Sequence, residues 1–551
     1  MAQIAKLVGG AGTGKTTELL SLMEKVASTG IDPTEIGFVS FTRAARAEAA
    51  ERAADLFGIP IHMLERDGWF RTLHSICYRA LGVNKNQLIA GDKKSRDWLE
   101  EALQQSVKMA NSIDEVTEQP FAGNSEAANV LNLWSAARSK LQGFEPTWKE
   151  ARRCDERTPG LDRCSYIIEQ YEHHKRLDHR LDFTDLALKF AGYRVTTNGV
   201  EEVEQEGETP NVPCWFFDEQ QDASPLLHEV CERLIENARL AYLVGDPFQS
   251  IYGWAGADHS CFLNLKADKE KTMPRSYRCP PIIANLGERI LRRCSDYYDR
   301  KIAPAEHHGR IDRSYHIGAI EQNVSPSQSW LLLARTNQQA TRLAAACEDA
   351  SIPWRPTKGA GGFAAPAKQE LLAALAAIQN GRSLTETQIR RLFMLTPTSF
   401  GDVKLMTHGS KAKFNERGIP EDQRWRLSEP LECEQLLYDL GFTEGFFKLI
   451  WDGDVSFYKD FGKFWRAAKT HGIEAVQNPS VRVGTVHSVK GSEADNVILL
   501  TTVSRPIVRS QSHRSGFDEE RRVEYVAVTR ARERLLLIDE PKRKHKMHIP
   551  A

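Results

Sequence analysis

The chain has almost no net charge: 73 lysines and arginines stand against 74 aspartates and glutamates, a balance of −1 over 551 residues. Overall charge therefore gives no sign of a polyanionic partner, and any nucleic-acid track must be local. No run of about eighteen apolar residues occurs, so no membrane span and no membrane partner are expected. The amino end passes directly into a short apolar stretch with no secretory leader, which predicts a cytoplasmic protein. The ten cysteines are scattered, with no C-x-x-C pair. That predicts a reducing compartment and argues against a zinc or iron–sulfur centre. Neither an internal repeat nor a coiled-coil heptad is visible. Hydrophobic content of 41% is ordinary, and the length allows several domains.

Against this plain background two segments stand out. Gly9-Gly10-Ala11-Gly12-Thr13-Gly14-Lys15-Thr16-Thr17 has the form G-x-x-x-x-G-K-T. It follows an apolar run, Ile4 to Val8, and opens a helical pattern, the strand–loop–helix order that a phosphate cradle requires. Glycines at Gly9, Gly12 and Gly14 let backbone N–H groups approach phosphate, and the helix start faces the same anion. Lys15 is expected to reach the β- and γ-phosphates and the Thr16 hydroxyl to hold Mg²⁺. The second segment is Cys214-Trp215-Phe216-Phe217-Asp218-Glu219-Gln220-Gln221-Asp222. Asp218 follows four apolar residues and so lies at the carboxyl end of a strand, where α/β sheets bind ligands. It is the expected metal partner of Thr16. Glu219, aimed differently, is the candidate to orient or deprotonate the attacking water. A surface acidic pair is the bland alternative, and Trp215-Phe216-Phe217 fits it poorly.

Strand-then-helix alternation recurs. Ile36 to Phe41 reads as a strand, Arg43 to Leu56 as a helix, and Leu240 to Val244 as a strand ending at Gly245-Asp246. A later set comprises Trp330 to Ala334, Val481 to Val486, Val497 to Leu500 and Leu535 to Ile538. The fold class expected is α/β, with two parallel-sheet cores (RecA-like, as the family resemblance given below implies), each interrupted by a mainly helical insertion. The expected parts are 1–88 with 181–272, insertion 89–180, 273–380 with 480–551, and a reduced insertion 381–479. Residues 196–211 read as a polar surface loop, and the glycine-rich stretch 357–362 as a flexible turn. The basic cluster Lys542 to Lys546 reads as a solvated tail.

Beyond the strand ending at Asp246, Gln249 is placed to contact both γ-phosphate and water, and Tyr252 and Trp254 follow as possible base-stacking rings. Here the chain resembles superfamily 1 DNA helicases of the UvrD/PcrA/Rep type. The resemblance runs in order through Gly9 to Thr17, Phe41 to Ala45, Thr72 to Ser75, Asp182 to Leu186, Asp218 to Asp222, Gly245 to Ala257, Ser276 to Arg278, Val483 to Glu493 and Tyr525 to Ala531. It implies ATP and Mg²⁺ as cofactors, and single-stranded DNA and single–double-strand junctions as substrate. Further implications are 3′→5′ movement with unwinding, a monomer or weak oligomer, possible loading, repair or replication protein partners, and a nucleoid-associated place in a bacterial or phage-infected cell. By resemblance Arg278 and Arg530 come from the second core and reach the γ-phosphate, so that ATP closes a cleft and hydrolysis releases it. Tyr277 stacks on adenine, Glu493 bonds the ribose, and Thr17 completes the loop. Phe41, Tyr252 and Trp254 stack bases. Thr42, Arg43, His74, Thr485 and His487 contact the strand's backbone, which predicts little sequence preference.

The sequence departs from the family in four places. Only eight residues precede Gly9, and Gln3 is too close to act as the family's upstream adenine-reading glutamine. The arginine that usually follows the loop is Thr17. The family's tryptophan–arginine pair is Trp254-Ala255. The second insertion is short. The first two departures bear on strict ATP selectivity, and the short insertion bears on duplex engagement, autoinhibition and partner contacts. No nuclease-like block follows residue 531. Three other readings were weighed: a DNA-stimulated ATPase or translocase that clears proteins from DNA with weak unwinding, a small-molecule P-loop kinase, and a catalytically idle binding protein. The kinase leaves the late motifs without a purpose. The idle protein is at odds with intact Lys15, Glu219, Gln249, Arg278 and Arg530.

Overall fold

The computed structural model describes residues 2–41, 43–107, 125–459 and 461–550, with the backbone alone at 43 and 44. Contacts divide the chain into two compact units. One comprises Met1–Gly309, Val503–Thr529 and His548–Ala551, and the other Arg310–Thr502 and Arg530–Met547. Among the described residues no helix is long and apolar enough to cross a membrane.

The first unit is built on a six-stranded sheet. Its strands run Trp69–Arg71, Ile36–Val39, Cys214–Phe217, Leu240–Gly245, Gln3–Val8 and Lys269–Thr272 across the sheet, and every neighbouring pair is parallel. Cys214–Phe217 and Ile36–Val39 are buried at every position, as strands covered on both faces must be. Three successive strand ends therefore lie side by side at the carboxyl edge, carrying Asp218, Asp246 and Gly9. Helices Lys93–Leu103, Glu126–Ser139, Phe144–Cys154 and Leu161–Leu177 occupy the first insertion, and their apolar faces join one face of the sheet in a common core. The stretch expected as a loop from 196 begins inside a hairpin. Tyr193–Thr196 pairs antiparallel with Gly199–Glu202 around Thr197-Asn198.

The second unit has its own six-stranded parallel sheet, ordered Trp354–Pro356, Val481–Thr485, Trp330–Ala334, Ala494–Leu500, Ala531–Ile538, Arg310–Ser314. The helices between Pro366 and Gln477 bury a separate core rich in phenylalanine, in which Phe393 and Phe414 stack at 3.9 Å.

The expected boundary at 272/273 is not where the contacts divide. Residues 273–309 stay with the first unit because Ser276 and Tyr277 bond to the glycine loop and Arg300 pairs with Asp246. Residues 503–529 join them through helix Arg514–Val528, which packs along Pro281–Leu291.

Candidate functional site

The glycine loop leaves strand Gln3–Val8 with the Gly9 N–H donating to the Gly245 carbonyl at 3.0 Å. Gly12 and Gly14 have φ of 70° and 79°, the left-handed region that a side chain disfavours. A Cβ on Gly12 would fall 2.2 Å from the Cβ of Arg278. Helix Lys15–Ala27 then starts with no side-chain cap at Gly14. Its first N–H groups and dipole are thus left to an anion. The Lys15 ammonium folds back to within 3.5 Å of the Gly10 carbonyl. Thr17 is exposed on the first turn and accepts from Arg52 at 3.0 Å.

The Thr16 hydroxyl donates to Asp218 Oδ2 at 2.8 Å. Burial pushes the Asp218 carboxyl up to about 6, Glu219 alongside adds to the rise, and Lys15 opposes it. A buried anion short of positive charge, next to a hydroxyl oxygen, suits Mg²⁺, which takes one or two protein oxygens and completes its shell with phosphate and water. No group of three or more His, Cys, Asp or Glu among the described residues could hold a metal by itself. Glu219 sits at φ 55°, a left-handed conformation that costs a non-glycine residue about 1 kcal/mol or more. Its Oε2 accepts from Gln221 Nε2 at 2.5 Å.

Gln249 is buried one short turn beyond the next strand and donates through Nε2 to Asp246 Oδ2 at 2.7 Å. The resemblance implies that Arg278 belongs to the second core, whereas the contacts group it with the first unit. The Ser276-Tyr277-Arg278 segment packs on the loop within the first unit. Ser276 Oγ donates to the Ala11 carbonyl at 2.7 Å, and the Tyr277 N–H donates to the Gly12 carbonyl at 2.8 Å. Tyr277 is 68% exposed, its ring 3.9 Å from where a Cβ on Gly14 would lie. The Arg278 guanidinium lies 3.5 Å from the Thr529 carbonyl.

In the second unit, Arg530 is buried and donates to the Ser492 carbonyl at 3.2 Å, while the Glu493 carboxylate pairs with Arg532 at 3.0 Å. Thr485 and Ser488 close a reciprocal turn, with His487 half-buried between them.

The stacking candidates separate by burial. Phe41 is 7% exposed and lies in the sheet core, and Tyr252 is 4% exposed. Neither ring is presented for stacking in this conformation. Both follow strand ends where the chain turns inward. Trp254 is 51% exposed. His74 is half-buried with its ring edge-on to Phe183 at 6.1 Å. Thr42 and the Arg43 side chain lie outside the described residues.

Four residues with no assigned role in the sequence reading join the site: Gln221, Asp246, Arg300 and Tyr525. The available signal was Asp246 at a strand end. Arg300 carried none, and Tyr525 stood only at the head of the block Tyr525 to Ala531, with no role of its own.

Comparison with known proteins places the chain in a family. The model of the UvrD/REP helicase N-terminal domain matches residues 1–270, and that of the UvrD-like helicase C-terminal domain matches 467–540. Among curated proteins, YjcD of Bacillus subtilis (strain 168) is 24% identical over 610 residues, covering 96% of this chain and 76% of YjcD. ATP-dependent DNA helicase PcrA of Leuconostoc citreum is 21% identical over 617 residues, covering 96% of this chain and 79% of its own length. PcrA of Staphylococcus epidermidis is 23% identical over 402 residues, covering 68% of this chain and 51% of itself. A crystal structure of Arterivirus nonstructural protein 10 (helicase) aligns with 97% of this chain and 59% of its own at 11% identity. Its TM-score of 0.29 is too low to bear on the fold.

Proposed function

The chain belongs to the UvrD-like helicases of superfamily 1, and from that premise we propose that it moves 3′→5′ along single-stranded DNA and unwinds duplex at junctions. ATP hydrolysis powers the movement. The observation that carries the catalytic half of this reading is the pairing of Thr16 with Asp218 at 2.8 Å beside a Glu219 held in a left-handed turn. On this reading the glycine loop serves as phosphate cradle, Thr16 and Asp218 as metal anchor and Glu219 as base.

Loop N–H groups and Lys15 take the β- and γ-phosphates. Thr16 and Asp218 hold Mg²⁺, which when bound neutralises charge on the phosphate oxygens. Glu219 orients the attacking water and takes its proton. Gln249 reads the γ-phosphate, and Arg278 and Arg530 offset the charge spreading over the transferring oxygens. Tyr277 lies against adenine, and Glu493 accepts from the ribose once released from Arg532. Trp254 is the exposed ring for base stacking. His74, Thr485, His487, Thr42 and Arg43 serve the strand's backbone, while Phe41 and Tyr252 are buried and would need a change of conformation to stack a base. Nucleoid association and loading partners follow from the same reading.

A second reading is favoured by the short second insertion: a DNA-stimulated ATPase that strips proteins from DNA and unwinds weakly. ATPase activity with and without single-stranded DNA, beside unwinding of 3′- and 5′-tailed duplexes, separates the two. The motor reading expects DNA-stimulated turnover that Lys15→Ala abolishes, with the 3′-tailed duplex opened preferentially. Stimulated turnover with neither duplex opened selects the second reading, and turnover indifferent to DNA sinks both.

A further inference from the structure

Behind the phosphate loop lies a buried polar node that the roles assigned above do not explain. At its centre is Asp246, wholly buried. Its Oδ1 accepts from the Arg300 guanidinium at 2.5 Å and from the Phe248 N–H at 3.1 Å. Its Oδ2 accepts from Gln249 Nε2 at 2.7 Å and lies 3.5 Å from the Tyr525 hydroxyl. Its own N–H donates to Gln221 Oε1 at 2.8 Å, and the other end of that amide donates to Glu219. The Tyr525 hydroxyl also accepts from the Ala11 N–H of the phosphate loop at 3.3 Å and from Arg300 at 3.4 Å. Arg300 is flanked by the Phe248 and Tyr525 rings at 4.8 and 5.4 Å, and its remaining fork arm meets Glu288 at 3.1 Å.

We propose that Tyr525 is a positioning residue for ATP hydrolysis, its hydroxyl tying the phosphate loop to the Asp246 node that orients Gln249 and Glu219. The proposal rests on reading the glycine loop as the triphosphate cradle. The chemistry gives the node its direction. A carboxylate only accepts, so Asp246 compels Gln249 to turn its NH₂ inward and thereby fixes which face of the amide carries the acceptor oxygen. The same residue fixes the Gln221 amide through its N–H, and Gln221 in turn holds Glu219. Asp246 must therefore not move, and the charge-assisted bond from Arg300 pins it. Tyr525 supplies what Arg300 does not: a link to the loop. Burial first, with Asp246 beside it, pushes the phenol up, so the hydroxyl keeps its proton to donate to Asp246 while its lone pairs accept from Ala11 and Arg300. A shift of the loop on phosphate binding is thus passed to the groups that orient water through one oxygen atom.

Tyr525→Phe deletes that oxygen and keeps the ring packed against Arg300 and Gly287. The expected result in the full-length protein is kcat for ATP lowered on the order of 10-fold, the factor that one net hydrogen bond represents. KM for ATP and the melting temperature stay near wild type. In a Gln249→Ala background the same substitution should add little, because the path it supports is already cut. Wild-type kcat in Tyr525→Phe, or full additivity with Gln249→Ala, overturns the proposal. A loss of melting temperature with kcat per folded molecule unchanged also overturns it, since the residue would then be structural. Lys15→Ala distinguishes the underlying reading: if it too hydrolyses ATP normally, the cradle is misassigned, and if it is inactive while Tyr525→Phe is normal, only the positioning role fails.

Discussion

The first unit buries two clusters of charge, and their surroundings set them apart. In the insertion, Arg138 forks onto Asp182 at 2.7 and 3.2 Å and reaches Asp185 at 2.9 Å. Lys175 meets Asp182, Asp185 and Glu172, and the Tyr171 hydroxyl donates to Asp182 at 2.8 Å. Asp182 also caps helix Phe183–Ala191, sharing a reciprocal box with Asp185. Every partner sits on one of three packed helices or their cap. The cations hold Asp182 far below the usual carboxylate range, whereas burial first and Asp182 next push Asp185 up to about 6. In the node behind the phosphate loop, Arg300 and Asp246 use the same chemistry, but their partners include Gln249, Gln221 and the Tyr525 hydroxyl, which itself accepts from a loop amide. Burying ion pairs adds little net stability, while breaking one is expensive. What differs is where the consequence of breaking falls: on helix packing in one region, on turnover in the other.

The sharpest separation comes from the node's own output. Glu219→Gln should bind ATP and hydrolyse it roughly 10²–10⁴-fold more slowly, the span expected for a lost general base, with the melting curve unchanged. Normal turnover in single-cycle hydrolysis would remove Glu219 as base and leave the node with little to position. Next in size is Arg138→Met. It leaves Asp182 and Asp185 short of a cation and should cost about 3–5 kcal/mol of stability, read by denaturant unfolding. Turnover per folded molecule should be retained. If Arg138→Met instead loses turnover as Glu219→Gln does, the two clusters are not distinct in kind.

Trp254 tests the edge of the same region at smaller scale. The 3₁₀ turn Gly253–Ala255 is pressed against helix Glu126–Ser139, where a Cβ on Gly256 would fall 2.8 Å from Ser139. The insertion that carries the Arg138 cluster therefore also backs the exposed ring. Trp254→Ala should weaken DNA-linked turnover by up to about 3 kcal/mol, the upper range for one stacked base, and the basal rate by much less. Equal losses would make Trp254 a packing residue and join the two regions after all.

How much of this was legible follows from where the information sits. Lys15, Thr16, Asp218 and Glu219 could be read because each lies in a contiguous motif anchored to a strand end. Trp330–Ala334 came out at its observed limits because a strand buried at every position is a bare apolar run. Lys269–Thr272 and Arg310–Ser314 were missed: they are edge strands whose charged side chains leave no such run. The Tyr193–Glu202 hairpin was missed although Asn198-Gly199 is a turn signal, because its strands are polar. The strand from Ile36 was expected to reach Phe41 and stops at Val39, two residues short. Arg300 had no local signature, and Tyr525 had only its place at the head of the block Tyr525 to Ala531. They meet Asp246 across 54 and 279 residues, and only packing brings them there. The same cause moved Arg278: its place beside Gly12 depends on residues 273–309 folding back on the loop.

A third buried pair offers the finest test. Arg521 and Glu524 lie on the helix that carries Tyr525, at 2.8 Å from each other, but their other partners are Gln511 and the His548 N–H. By the logic above they belong with Arg138, as a structural pair. Burial is the largest influence on Glu524 and pushes it up to about 7. Arg521, the His548 N–H and Arg293 oppose the rise, and Glu520 adds to it. Its ordinary value is 4.5. Between those values the unfolded carboxyl has already lost its proton while the folded one still holds it. Stability from this group is therefore full below about 4.5 and declines as pH rises through 7, by at most about 1.4 kcal/mol per pH unit. Glu524→Gln, which cannot titrate and keeps an acceptor for the His548 N–H, should flatten that decline between pH 5 and 7 and leave the pH dependence of kcat untouched. A change in the kcat profile instead would mean that the helix transmits charge from this pair to Tyr525, and that burial alone does not decide which ion pairs serve packing and which serve the reaction.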